Sequence, residues 1–77
     1  MNAKRRKQLA NAVEVLNNVL ELLEEVTADE QDAYDNLPEG IQDSERGEAM
    51  QENVDEMEDA SSSLQDIIDQ LQDIIDR

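Results

Sequence analysis

Residues 64–70 read LQDIIDQ and residues 71–77 read LQDIIDR, one heptad written almost twice. A seven-residue repeat with paired apolar positions constrains a chain more than any composition, because it predicts helices that pack side by side. With Leu64 and Leu71 at position a, the frame runs back through Met57 and Met50. Position d then holds Asn53, Ala60, Ile67 and Ile74, and position e holds Val54, Ser61, Ile68 and Ile75. The acids Glu52, Asp55, Glu58, Asp59, Asp66, Asp69, Asp73 and Asp76 all fall at b, c or f.

The first half carries the same kind of pattern. With Leu9 at a, position a holds Leu9, Leu16 and Leu23, d holds Ala12, Val19 and Val26, and e holds Val13, Leu20 and Thr27. Val15 and Leu22 add a fourth apolar row at g, while b, c and f are polar apart from Ala10. This is an amphipathic helix with an unusually wide apolar arc.

Between the halves lies AYDNLPEGIQDSERGEAM, residues 33–50, which holds the only Tyr, the only Pro and both glycines. Leu37-Pro38 disfavours helix at residue 37 and removes an amide donor at 38, so helix one is expected to end near Asn36. Gly40 offers the positive φ that chain reversals often use. Asp43 or Ser44 can cap the amides opening helix two, with Glu45 and Glu48 well placed against its positive end. The expected architecture is all-α: helix 1 about 3–36, a connection about 37–43 and helix 2 about 44–77, folded as one antiparallel helical hairpin. In that topology Lys4–Lys7 would lie beside Asp69, Asp73 and Asp76. Asn53, Ser61–Ser63 and Gly47 are the weak points of helix 2.

A chain of 77 residues buries a modest core, and small domains commonly add disulfides, a metal or a partner chain. With no Cys and no His, disulfides and the usual metal sites are excluded, which leaves association. The surplus apolar rows at Val15 and Leu22 point the same way, to a homo-oligomeric helical bundle, with a symmetric pair of hairpins the economical form. The formal net charge is −15, and Lys4, Arg5, Arg6 and Lys7 hold four of the six cations against 21 acids. Such a surface repels nucleic acid and anionic membranes and favours basic partners. Residues after the basic start are broken by Asn11, Glu14, Asn17, Asn18 and Glu21, so neither a secretory leader nor a membrane span is expected. The expected location is the cytoplasm of a bacterial host cell.

Catalysis has little to work with. No His or Cys is present for acid–base or nucleophilic chemistry, so no catalytic residue and no cofactor is expected. Glu21, Glu24, Glu52 and Asp55 form an E-x-x-E and E-x-x-D pattern similar to that of all-α nucleoside triphosphate pyrophosphatases. All four fall at outward heptad positions, so no metal site is expected. A calcium loop counted from Asp35 fails at Leu37 and Arg46, its third and twelfth positions. The KRRK cluster could contact phosphates, but the rest of the chain repels the same polymer.

Two features remain for function. The carboxylate rows at b, c and f could imitate the phosphates of nucleic acid and occupy a basic groove, or simply be solvated. The stretch around residues 34–46 combines Tyr34, Asn36, Gln42, Ser44 and Arg46 beside a helix start, groups able to bind a base, a ribose and a phosphate. Alternatively, Tyr34, Leu37 and Ile41 plug the end of the bundle and Arg46 pairs with nearby acids.

The run DNLPEGIQDSERGEAM with ENVDEMEDA, roughly residues 35–60, resembles small acidic helical proteins of bacteriophages and mobile elements of Gram-positive bacteria. That resemblance implies an anti-defence role: sequestering a nucleotide-like signal, or binding a defence protein, around the loop. The reading from the residues is a non-enzymatic binding protein with Tyr34, Asn36, Gln42, Ser44 and Arg46 as ligand-binding candidates. Its rivals are an acidic nucleic-acid mimic that blocks a DNA- or RNA-binding protein, and a structural adaptor. Neither direct nucleic-acid binding nor a membrane is expected.

Overall fold

A computed structural model describes all residues 1–77. The chain is all-α: α1 (Ala3–Asp35), a single turn α2 (Glu39–Gln42) and α3 (Glu45–Asp76), with no strand. α1 and α3, 33 and 32 residues long, supply nearly all the structure. The Cα radius of gyration is 17.4 Å, where a compact chain of this length would have roughly 11–12 Å. The molecule is a rod of 59 × 15 × 13 Å.

α1 starts where Asn2, in an extended conformation, accepts the Arg5 amide through its side chain at 2.8 Å. This cap was not foreseen from the sequence, although Asn immediately before a helix is a standard signal for one. α1 stops one residue short of Asn36, as the Leu37-Pro38 pair requires.

The two long helices pack together along one seam. Val13, Leu20 and Ile68 form a buried cluster, with Leu16, Leu64, Leu71 and Ile75 against it. Farther along, Val54 is only 1% exposed, and Asn53 Nδ2 donates to Glu30 Oε2 at 3.0 Å. Early residues of α1 therefore meet late residues of α3, and late residues of α1 meet early residues of α3.

The seam uses different rows from those a simple heptad frame assigns. Val13, Leu20 and Thr27 of row e are buried and Leu9, Leu16 and Leu23 of row a are half-buried, whereas Val19 and Val26 of row d are exposed. In α3, Val54 and Ile68 of row e are buried, while Asn53, Ala60 and Ile67 of row d are exposed. The apolar arc is wider than one partner helix can cover, and the intramolecular contact takes its a/e edge.

Thr27 and Ser61 place a polar layer in this seam. Thr27 Oγ1 donates to the Leu23 carbonyl at 2.7 Å. The half-buried Ser61 hydroxyl has no hydrogen-bond partner.

The glycines behave differently from the sequence expectation. Neither adopts a positive φ. Gly40 sits within the α2 turn, and a Cβ there would meet nothing within 4 Å. Gly47, read from sequence as a weak point of helix 2, is buried because the backbone of Gln42 crosses directly over it. A Cβ at Gly47 would collide with the Gln42 carbonyl and lie 2.7 Å from its Cα.

These contacts give two tests by thermal denaturation at fixed protein concentration. Gly47→Ala should destabilise by about 2 kcal/mol or more, because backbone must move, whereas Gly40→Ala should be neutral or stabilise by up to about 1 kcal/mol. Ser61→Ala should keep or raise the melting temperature, since it removes a hydroxyl desolvated without a partner. A large loss on Ser61→Ala would show that the hydroxyl is bonded in solution.

Candidate functional site

The connection is built around Gln42. The last carbonyls of any helix lack intrahelical partners. Here the Gln42 side-chain amide reaches back from α2 and donates to the carbonyls of Tyr34 at 3.1 Å and Asp35 at 3.5 Å. Backbone bonds tighten the same turn: Leu37 N–H donates to Tyr34 O at 3.0 Å, and Ile41 and Gln42 N–H both donate to Pro38 O, at 2.8 and 3.0 Å. Gln42 is thus a clasp between the end of α1 and the backbone layer seated on Gly47.

Ser44 is the residue preceding α3 and is extended, as a cap residue should be, but its side chain makes no capping bond. Its Oγ donates instead to the Ile41 carbonyl. The opening of α3 keeps Glu45 and Glu48 in its first turn, where their charge offsets the exposed amides.

The five candidate residues are near one another in sequence but converge only in part. Tyr34 is half-buried in the last turn of α1, and Gln42 touches it through its backbone carbonyl. Asn36 ends α1 with its amide on Asp32 O and its side chain exposed. Arg46 is exposed on the first turn of α3. Neither the Asn36 nor the Arg46 side chain is hydrogen-bonded to the rest of the chain, and no concavity is lined by these five residues. Leu37 is half-buried, whereas Ile41 remains exposed, so it does not plug the end of the helix pair.

Three shallow hollows lie elsewhere. One is bounded by Val26, Glu30, Asn53, Glu56, Met57 and Ala60. The second, on the opposite edge of the seam, is bounded by Glu24, Thr27, Ala28, Gln31, Glu58 and Ser61. The third lies at the start of α1, over Met1, Arg5, Gln8, Leu9 and Ala12. The first two flank the polar seam positions, and their only signal in sequence is Thr27, Asn53 and Ser61 standing where apolar residues pack best.

The acids form the largest chemical feature. Every Asp and Glu except the half-buried Glu30 is exposed, including Asp66, Asp69 and Asp73. Glu21, Glu24, Glu52 and Asp55 are exposed too, and no group of three or more carboxylates converges enough to hold a metal ion. Gln31, Gln65 and Gln72 each donate to the Asp four residues on, at 3.0–3.1 Å, holding Asp35, Asp69 and Asp76 in place along the helix surfaces. The basic cluster is not hydrogen-bonded to acids of α3; its one side-chain hydrogen bond runs from Arg6 Nη2 to Met1 O at 3.4 Å. No helix is long and apolar enough to cross a membrane.

No protein-family model matches the sequence, and no curated protein or solved structure matches it either.

The clasp has a direct consequence for stability. Gln42→Ala should cost about 1 kcal/mol, the worth of a typical hydrogen bond, lowering the melting temperature by roughly 4–8 °C. Asn36→Ala, which removes only an exposed side chain, should leave it unchanged.

Proposed function

We propose that this chain is a non-enzymatic binding protein: an antiparallel helical hairpin whose carboxylate-covered outer faces occupy the basic, nucleic-acid-binding surface of a partner protein. The exposure of all its acids except Glu30 along a straight rod carries this reading. A net charge of −15 over 59 Å is close to one charge per 4 Å, near the roughly 3.4 Å per phosphate of one DNA strand and under half the density of a duplex, about 1.7 Å per charge. A basic groove that tracks a phosphate backbone meets carboxylates spaced along the length of one helix face here, on a surface already rigid. The loop is less suited to be the main site, because Gln42 and Ser44 spend their side chains on the chain's own carbonyls.

A second reading keeps recognition at the loop. Asn36 and Arg46 are exposed and unspent there, and with Tyr34, and with Gln42 and Ser44 released from the carbonyls they now serve, they would hold a nucleotide-like signal. Under either reading, a target among host defence components of a bacterial cytoplasm is what the resemblance of residues 35–60 to phage-encoded proteins implies.

One experiment separates the two. The protein is immobilised and exposed to bacterial extract, with duplex DNA as competitor and salt as a second variable. The first reading expects a partner that DNA displaces and that high salt releases. That partner should be lost with Asp66→Asn, Asp69→Asn and Asp73→Asn combined, and kept with Tyr34→Ala and Arg46→Ala. Binding that ignores DNA and the Asp changes but needs Tyr34 and Arg46 overturns the first reading in favour of the second.

A further inference from the structure

The apolar rows that the α1–α3 seam leaves uncovered form an organised face. Val15 and Leu22 are each 60% exposed, Val19 47%, Val26 46% and Ile67 48%. In α1, positions 12, 15, 19, 22 and 26 follow the alternating three- and four-residue spacing of a packing seam, beside the one already used for α3. Val26 and Ala60 border the same hollow. Stepping by seven residues in opposite directions along the two helices sets Val19 beside Ile67, and Ala12 beside Ile74.

We propose that a second copy of this chain covers this face, laid antiparallel to the first, with the two-fold axis passing near Val19 and Ile67. The product is a four-helix bundle in which the intramolecular seam and the interface are two edges of one core.

Surface area favours an occupant of this size. A compact monomer of this mass exposes about 4,700 Å², whereas the chain exposes 5595 Å². The excess, roughly 900 Å², comes from the rod's elongation and is of the size that each partner buries in a stable interface, approximately 800 Å².

The face is also self-complementary. Ala12 and Val26 are equidistant from Val19, so a two-fold axis there sets Ala12 of one copy against Val26 of the other. An interface of this kind needs the same patch on both partners.

The charge along α1 is complementary in this direction. Lys4, Arg5, Arg6 and Lys7 occupy one end of α1, and Asp29, Glu30, Asp32 and Asp35 occupy the other. The antiparallel arrangement brings each basic cluster alongside the other copy's acids. A two-fold axis along the rod would instead set α1 of one copy against α3 of the other, bringing the acids at the end of α1 against those at the start of α3. The inference is independent of the proposed target, because the outer carboxylates stay outside the new core.

Native mass spectrometry and disulfide trapping at micromolar concentration test this together. The wild type should run at twice 8.7 kDa, and Leu22→Glu should run at the single-chain mass. The chain has no cysteine of its own, so Ala12→Cys and Val26→Cys report orientation without background. Mixed and oxidised, the two variants should cross-link to each other, and each alone should not. A single-copy wild type, a higher oligomer, or Ala12→Cys linking to itself overturns the proposal. The cysteine result stands whether or not Leu22→Glu folds.

Discussion

The structure depends on one row of contacts, in which Val13 and Leu20 of α1 and Val54 and Ile68 of α3 are the only buried hydrophobic side chains. Burying such a side chain stabilises by roughly 1.5–3 kcal/mol, and the ordering of the chain opposes it at about 1–2 kcal/mol per residue. A seam this thin cannot afford further defects, yet it contains Thr27 and the unpartnered hydroxyl of Ser61. Everything else in the rod extends or protects this seam. The half-buried Leu9, Leu16, Leu23, Met57, Leu64 and Leu71 widen it, and the clasp at Gln42 closes one end.

The connection is shaped by backbone needs. Pro38 ends α1, and the carbonyls left at that end are met by a side chain from the following turn rather than by a glycine in the left-handed conformation. Gly47 is required for a different reason, the absence of a Cβ where α2 lies on α3. The residues that look chemically richest in the sequence are thus partly structural: Gln42 and Ser44 serve the chain's own carbonyls, while Asn36 and Arg46 remain unspent.

Two surfaces with opposite character follow from one helical pattern. The b, c and f rows carry the acids into solvent, and the uncovered d and g rows carry valine and leucine to the surface. Charge held outward along a stiff rod suits the recognition of a basic groove. The apolar row along the middle of that rod, from Ala12 to Val26 of α1, suits another helix pair. Because the two lie on different sides, binding a target and assembling with a second copy are compatible.

The all-α class, the two long helices and the break at Leu37-Pro38 were legible in the sequence. Heptad spacing and proline chemistry act locally, and the structure departs from the expected ends by a residue or so. The outward placement of the acids was legible for the same reason, since helical periodicity alone puts b, c and f opposite the apolar arc. The edge of that arc that would be buried was not. Rows d and e are both largely apolar and flank row a on either side, and only the way α3 lies against α1 chose e and left Val19, Val26 and Ile67 exposed. The roles of Gln42 and Gly47 were hidden likewise, because each depends on a backbone segment brought over from another element. Local spacing therefore determined what the helices are, and the tertiary contact decided which face of each is the core.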